Sequence, residues 1–146
     1  MATCPCGTTR TFSDCCGPYL SGQRQAETAE TLMRTRYTAY TRQHVDYLLR
    51  TYDPDSQYLF DRETTLEWSR RSQWLSLEIR ACDGGTPRDE SGTVEFVAWY
   101  TRDKRKHRHH EVSRFQKIDE RWYYLDGHYP SASALLGAES RRMKNT

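Results

Sequence analysis

The chain has 146 residues, 12% of them aromatic, which suffices for one compact domain with a short appendage and excludes a disordered chain or two full domains. Its 22 basic and 20 acidic residues nearly balance at a net charge of +2, which argues against a dedicated nucleic-acid-binding protein. No apolar run is long enough to span a bilayer and no secretory signal opens the sequence, so we expect a cytoplasmic protein with reduced thiols.

The first feature along the chain is a cluster of cysteines. Four of the five in the sequence are Cys4, Cys6, Cys15 and Cys16, and the loop of residues 7–14 is long enough to bring the two pairs together. Four thiolates close a tetrahedral structural site for zinc, and iron suits the same ligands. We therefore expect a structural Zn²⁺ at these cysteines. Disulfides, a redox-active dithiol and unliganded thiols are the alternatives, although adjacent cysteines bridge only with strain and the spacing Cys-x-x-Cys is missing.

The sequence divides into three parts. Residues 1–20 form the metal-binding unit, called the knuckle below, residues 26–130 form an α+β domain, and residues 131–146 form a C-terminal tail. The knuckle has almost no apolar content, so we expect its ion to drive its folding. A polar segment at residues 21–25 links the knuckle to the domain.

Helices are predicted at the start of the domain. Apolar and aromatic residues recur at three- and four-residue steps after Thr28, a typical N-cap, and predict a long first helix. Shorter helices are predicted at about residues 45–50 and 61–71. The apolar stripe of the first helix consists of Ala29, Leu32, Met33, Tyr37 and Tyr40.

The apolar period then changes to two, which predicts β-strands. In the first strand, apolar residues from Leu75 to Ala81 alternate with polar ones, and Cys82 is expected to be half-buried at its end. Helices followed by an antiparallel meander indicate an α+β fold rather than an α/β fold. The four predicted strands are residues 75–81, 93–101, 110–118 and 121–126.

The helix and the strands resemble those of a known family. The segment Ala29–Tyr40 is similar to the L-M-R-S-R-Y-T-A-Y helix of the YchJ-like uncharacterised bacterial proteins, and the segments 94–98, 110–115 and 122–127 match later segments of that family in order. The resemblance covers residues 4 to about 127. It implies a cone-shaped, nuclear-transport-factor-2-like (NTF2-like) fold, in which a curved antiparallel four-stranded sheet wraps around the first helix.

The cysteine segment carries a second resemblance. Residues 4–16 resemble the SEC-C motif, a zinc-binding unit also found at the C-terminus of the SecA translocation ATPase, with Thr8-Thr9 where Ser-Gly is common. This resemblance implies that the knuckle docks a partner protein. Many relatives carry a second SEC-C motif at the C-terminus, whereas residues 128–146 of this chain contain no cysteine.

Cone folds of this class often hold a pocket between the sheet and the helices. A histidine there would act as an acid or base near neutral pH, with a carboxylate to orient it. His110 and Glu111 are adjacent on a predicted strand, so their side chains should face opposite sides. We favour a structural ion network over catalysis, because no known catalytic motif is present. The candidate pocket residues are Arg34, Tyr37, His110, Arg114, Trp122 and Asp126.

The strongest charge run covers residues 102–110. It is predicted to be the solvated tip of a hairpin, and contact with an acidic partner or RNA is the alternative. His107, His109 and His110 could capture stray metal in vitro, but no set of carboxylates or cysteines accompanies them, so no second metal site is predicted there.

These observations favour a zinc-bearing protein-interaction or adaptor module that binds a protein partner through the knuckle. A small-molecule-binding protein or enzyme that uses the cone pocket is the main alternative, and metal storage or delivery is a third. Neither a membrane nor, apart from the basic run, a nucleic acid is expected as a partner.

Overall fold

The structure is a computed structural model that describes residues 3–130. Within this range four α-helices precede four β-strands, so the predicted α+β order is confirmed. The helices are α1 (Gly17–Leu20), α2 (Ala29–Thr41), α3 (Val45–Arg50) and α4 (Arg62–Arg71), with 3₁₀ turns at Phe12–Asp14 and Pro54–Leu59. The strands are β1 (Gln73–Gly84), β2 (Ser91–Arg102), β3 (Arg105–Ile118) and β4 (Arg121–His128). The predicted tail at 131–146 lies outside the described residues.

Helix α2 is the centre of the fold. It begins where predicted, because the extended backbone of Thr28 lets its Oγ1 accept a hydrogen bond from the Thr31 N–H at 3.0 Å. Nine of its residues are buried, including Thr35, Arg36 and Thr38. A helix buried around most of its surface must be covered on several sides, and α2 contacts α1, α3 and three of the strands.

The four strands form one antiparallel sheet in the order β1-β2-β3-β4. Two-residue turns with positive φ join β2 to β3 at Asp103-Lys104 and β3 to β4 at Asp119-Glu120, a backbone geometry that matches the twist of a hairpin. At its far end the sheet is joined to the segment before α2, where Trp122 Nε1 donates to the Glu27 carbonyl at 3.0 Å. This is the predicted cone, with the core between α2 and the inner face of the sheet.

The basic run at 102–110 is mostly strand, so its prediction as a loop tip is wrong. Only Asp103 and Lys104 form the turn, and β3 starts at Arg105, five residues before the predicted start at 110. Paired strands place alternate side chains on opposite faces, which separates the charges of the run. Lys106 therefore lies outside, with its Nζ 4.8 Å from the centre of the Trp99 ring, whereas His109 is 4% exposed inside the cone.

The structure corrects two predictions for β1. The register shifts between Trp74 and Ser76, so Leu75 points outward and is 46% exposed. Trp74 takes the inward position instead and joins a cluster of rings that includes Tyr37, Tyr40, Trp68 and Tyr100. Cys82 is exposed rather than half-buried, with its Sγ 3.5 Å from Glu30 Oε1.

Candidate metal centre and the interior of the cone

The loop between the two cysteine pairs closes as a small hairpin. The Cys4 N–H donates to the Arg10 carbonyl at 2.8 Å, and Thr3 pairs with Thr11 in an isolated antiparallel bridge. Gly7 has a φ of +98°, a backbone conformation that L-residues with a side chain rarely adopt. These contacts turn the chain back on itself and return it to the first pair of cysteines.

The four cysteine side chains converge on one point. Their sulfurs all lie within 4.8 Å of one another, and Cys6 Sγ and Cys15 Sγ are 3.6 Å apart. Four sulfurs bound tetrahedrally at about 2.3 Å from a zinc ion would be about 3.8 Å apart. Cys4, Cys6, Cys15 and Cys16 are between 0% and 6% exposed. The donor set and its spacing therefore fit a closed four-sulfur site that could hold a metal ion.

Two threonine hydroxyls contact the sulfurs from outside the cluster. Thr8 Oγ1 lies 3.1 Å from Cys15 Sγ, and Thr38 Oγ1 donates to Cys16 Sγ at 3.3 Å. Such contacts orient metal ligands and stabilise the thiolate form. Thr8 stands where the SEC-C motif commonly has serine, so this chain retains a hydroxyl at that position. Thr38 comes from α2, so the helix itself contributes to the site.

The pKa values of the thiols in the cluster are shifted in opposite directions. A hydrogen bond from Cys16 lowers the pKa of Cys6 to about 4, because it stabilises the Cys6 anion more than burial opposes it. The same pairing, together with burial, raises the pKa of Cys16. A cation among these sulfurs would ionise the remaining thiols as it binds.

Arg34 holds the knuckle against α2. Its Nη1 donates to the Cys6 carbonyl at 2.7 Å, and its Nε donates to Glu30 Oε2 at 3.0 Å. A second contact lies just past the end of α2, where Arg42 Cζ is 3.9 Å from the centre of the Phe12 ring. The buried cysteines belong to the same core cluster as the apolar residues of α2. The knuckle is thus packed into the fold, and Arg34 does not line the cone.

A buried carboxylate lies inside the cone. Glu111 is 3% exposed and accepts hydrogen bonds from Ser113 Oγ at 2.6 Å and Tyr124 Oη at 2.9 Å, while His109 Nε2 is 2.8 Å from its Oε1. Burial raises the pKa of Glu111, but the hydrogen bonds and the charge of His109 outweigh it and hold the pKa below its ordinary value. A Cβ at Gly127 would overlap this carboxylate, so the glycine provides the space that Glu111 fills.

The cavity beside this network is small. It has a volume of about 30 Å³ and lies between α2 and the sheet, where Tyr37, Tyr40 and Phe96 are among the other residues that line it. A cavity of this volume holds one or two water molecules. The interior of the cone is therefore a packed core around a satisfied polar network, without room for a substrate in this conformation.

Three of the candidate pocket residues lie on the outer face of the sheet. His110 Nε2 is 2.7 Å from Glu95 Oε2, and Arg114 donates to both carboxylate oxygens of Asp126 at 2.6 Å. The expectation that they line the pocket is wrong because Glu111 faces inward. His110 and Arg114 lie one and three residues away from it on β3 and must therefore face outward, and Asp126 binds Arg114 there. The pair between Arg114 and Asp126 is of the structural kind that the sequence favoured.

Of the other candidates, only Tyr37 lines the cone cavity. Trp122 is 4% exposed and borders clefts outside the cone. Sequence reasoning did not select His109, Ser113 or Tyr124 as site residues. The two-residue spacing of His109, Glu111 and Ser113 indicates that they share one face of a strand. That pattern was missed because the charged run at 102–110 suggested a loop.

Comparison with known proteins agrees with this architecture. Residues 28–127 match the family described as the middle NTF2-like domain of YchJ, which covers most of the chain. The chain belongs to the YchJ family. Residues 2–18 match the SEC-C motif, so both family resemblances of the sequence are confirmed.

The relatives of this YchJ-family chain are bacterial proteins. A UPF0225 protein of Geobacter sulfurreducens is 46% identical over 138 residues, which cover 92% of this chain and 86% of the relative. A UPF0225 protein of Photorhabdus laumondii is 41% identical over 129 residues, which cover 87% of this chain and 80% of the relative. Within residues 3–130, no helix combines the length and the apolar character that crossing a bilayer requires.

Solved structures of SEC-C proteins share the fold. A SEC-C motif containing protein from Rhodopseudomonas palustris superposes with a TM-score of 0.81 at 38% identity, over 88% of this chain and 98% of that protein. A SEC-C motif containing protein from Psychrobacter arcticus gives a TM-score of 0.76 at 32% identity, over 91% and 84%. The knuckle and cone of the YchJ-family chain therefore have structural counterparts in other bacteria.

Proposed function

We propose that this chain is a zinc-binding protein-interaction module of the bacterial cytoplasm. The carrying observation is that Cys4, Cys6, Cys15 and Cys16 form a buried set of four sulfurs with no position left open. Zinc in a four-thiolate site stabilises the fold and activates no water, because no coordination position remains for one. Iron would occupy the same sulfurs, but a closed tetrahedral site in a small knuckle is the usual arrangement for zinc.

The protein partner is expected to contact the outer side of the knuckle. The loop that joins the cysteine pairs presents exposed side chains, among them Arg10, Ser13 and Asp14. The hydrogen bonds of the small hairpin and the metal would fix this loop before a partner arrives, which lowers the entropy cost of binding. The contacts of Arg34 and Thr38 with the knuckle hold the loop in one orientation relative to α2.

The alternative function in the cone gains no support from the cavity. Its volume of about 30 Å³ accepts water rather than a metabolite. The carboxylate of Glu111 already has a hydrogen-bond partner at each oxygen. We therefore interpret the pair of His109 and Glu111 as part of the structural core.

The test compares the proteins recovered by four versions of the tagged full-length chain. They are the wild type, the control Cys82→Ser, the knuckle variant Cys16→Ser, and the charge reversal Arg10→Glu/Asp14→Arg, which leaves the cysteines intact. Elemental analysis is expected to find one zinc per chain in all but Cys16→Ser. Partners common to the wild type and Cys82→Ser should be lost from both remaining variants.

The charge reversal keeps this test informative even if Cys16→Ser fails to fold. A folded, zinc-loaded Arg10→Glu/Asp14→Arg protein that recovers the same partners as the wild type would exclude the knuckle surface as the docking site. Iron instead of zinc, after expression in a medium containing both metals, would contradict the assignment of the ion.

A further inference from the structure

A second cleft lies outside the cone, beside the segment that leaves the knuckle. Its volume is about 300 Å³, at the lower end of the range for small-molecule sites. Residues from α1, α2, α3, β4 and the segment after α1 line it. Four of the lining side chains are buried and apolar or aromatic: Ala26, Leu32, Tyr47 and Trp122. The cleft is therefore a site that several parts of the chain assemble together.

All the charged side chains that line this cleft are positive. Arg24, Arg50 and Arg121 line it, and no aspartate or glutamate does. None of these three forms a salt bridge with a carboxylate of residues 3–130. Elsewhere in the chain, carboxylates pair with Arg34, Arg62, Arg71, Arg80 and Arg114. Three arginines without carboxylates at one cleft produce a positive potential that attracts an anion.

Aromatic rings hold two of the arginines in place. Arg24 Cζ is 5.2 Å from the centre of the Tyr19 ring, and Arg50 Cζ is 5.2 Å from that of Tyr47. Arg50 also donates from Nη2 to the Leu20 carbonyl at 3.4 Å. Cation–π contacts of this kind position a guanidinium without using its N–H donors.

The third arginine is held by a side-chain amide. With its amide oriented to satisfy both contacts, Gln25 Oε1 accepts from Arg121 Nε at 3.3 Å and from Arg121 Nη2 at 3.2 Å. A guanidinium has five N–H donors in a fixed fork. All three arginines therefore keep donors for a ligand.

We propose that this cleft binds a small organic phosphate with a planar aromatic body, of the size of a mononucleotide. Arginine forks match the geometry of phosphate oxygens, and aromatic side chains stack on planar rings. Tyr19 and Tyr123, both partly exposed, supply the aromatic surface beside the arginines.

The adjoining groove argues for a small ligand over a long one. It shares Arg24 and Trp122 with the cleft, but Glu27 and Glu120 line it together with Lys117, so it lacks the uniform positive charge of the cleft. A nucleic-acid strand or an acidic peptide that extended from the cleft into this groove would meet those carboxylates. A single nucleotide bound in the cleft would not.

The test titrates the full-length, zinc-loaded chain with AMP, adenosine and inorganic phosphate, followed by calorimetry and by amide NMR shifts. AMP is expected to bind saturably, at least about tenfold more tightly than either of its halves, because only AMP uses both the arginines and the rings. Arg24→Gln and Arg121→Gln should each weaken AMP binding by about tenfold or more. Arg70→Gln is the matched control, since Arg70 is exposed on α4 and does not line the cleft.

Several results would overturn this proposal. They are an absence of saturable AMP binding at millimolar concentration, an equal loss of affinity in Arg70→Gln, and binding of phosphate or adenosine alone as tight as that of AMP. Tighter binding of an oligonucleotide or a glutamate-rich peptide than of AMP would also contradict it. Amide spectra of each variant show whether it is folded, so a misfolded arginine variant is recognised and the other one decides.

Discussion

Thr38 Oγ1 donates a hydrogen bond to Cys16 Sγ at 3.3 Å, which joins the central helix to the metal centre across 22 residues of sequence. The same hydroxyl lies 3.8 Å from Cys4 Sγ. One side chain of α2 therefore contacts both cysteine pairs. This contact couples metal binding to the packing of the cone, and the first prediction follows from it.

Thr38→Val should weaken zinc binding, because valine has nearly the shape of threonine and lacks the hydroxyl. Loss of a hydrogen bond to a metal ligand lowers metal affinity by about 10- to 100-fold and should lower the free energy of unfolding by about 1–2 kcal/mol. Competition with a chromophoric chelator and urea unfolding measure the two effects. Thr38→Ser retains the hydroxyl and should stay close to the wild type. Equal zinc affinity in Thr38→Val and the wild type would show that the hydroxyl does not support the site.

Removal of zinc should destabilise the whole chain. The four cysteines are buried in the core cluster, so loss of the ion would remove four metal–sulfur bonds from the core. We expect the free energy of unfolding to fall by more than about 3 kcal/mol after chelation, since structural zinc contributes at least that much in small metal units. Circular dichroism during urea unfolding measures the change.

Burial of the sulfurs also predicts slow metal release at neutral pH. Cys82→Ser, which changes the exposed thiol outside the cluster, should behave as the wild type in both assays. Rapid exchange of zinc with a chelator while the protein stays folded would instead favour metal storage or delivery.

Gly127→Ala should destabilise the cone, because the added methyl group overlaps the Glu111 carboxylate. Overpacking of this kind costs about 1–3 kcal/mol of unfolding free energy. In a Glu111→Ala background the overlapping carboxylate is absent, so the same substitution should cost much less. A double-mutant cycle measured by urea unfolding checks this coupling. Equal costs in the two backgrounds would mean that Gly127 is needed for another reason.

Glu111 should make the stability of the cone fall at acid pH. Its pKa in the folded chain is lowered, so its contribution is fully present above the unfolded value of about 4.3 and is lost as the pH falls through the folded value. Burial raises the pKa of Tyr124, which keeps its hydroxyl a neutral donor to Glu111 across this range.

The comparison of wild type with Glu111→Gln isolates this effect. The unfolding free energies of the two proteins should converge as the pH falls from 6 to 3, roughly the range around the unfolded pKa. They converge because only the wild type loses the contribution of the carboxylate. The thiolates of the knuckle also protonate in acid, but they do so in both proteins. A difference in stability that does not change with pH would contradict the lowered pKa.

Local signals were enough to predict much of the fold. The cap at Thr28 and the apolar stripe after it defined α2, and the spacing of the cysteines defined the knuckle, because both depend on residues close in sequence. The register of β1 was not predictable in the same way. The alternation placed Leu75 on the same face as Leu77, but a register shift between Trp74 and Ser76 turns Leu75 outward, and no local signal marks that shift.

The polar interior of the cone was hidden for a different reason. His109 lies in a run of charged residues, where solvent exposure is the usual expectation, and its burial depends on Glu111, Ser113 and Tyr124 meeting it in space. The cleft lined by three arginines was even less predictable from the sequence. Arg24, Arg50 and Arg121 are far apart in sequence, so no local pattern brings them together.

The hydrogen bond from Trp122 to Glu27 spans 95 residues of sequence and joins the segment just before α2 to β4. A ribosome makes the chain from its N-terminus, so all four cysteines leave the exit tunnel long before β4 is synthesised. The knuckle is therefore synthesised while the helix it packs on still lacks the sheet. The order of synthesis makes the four cysteines available to an ion first and closes the cone last.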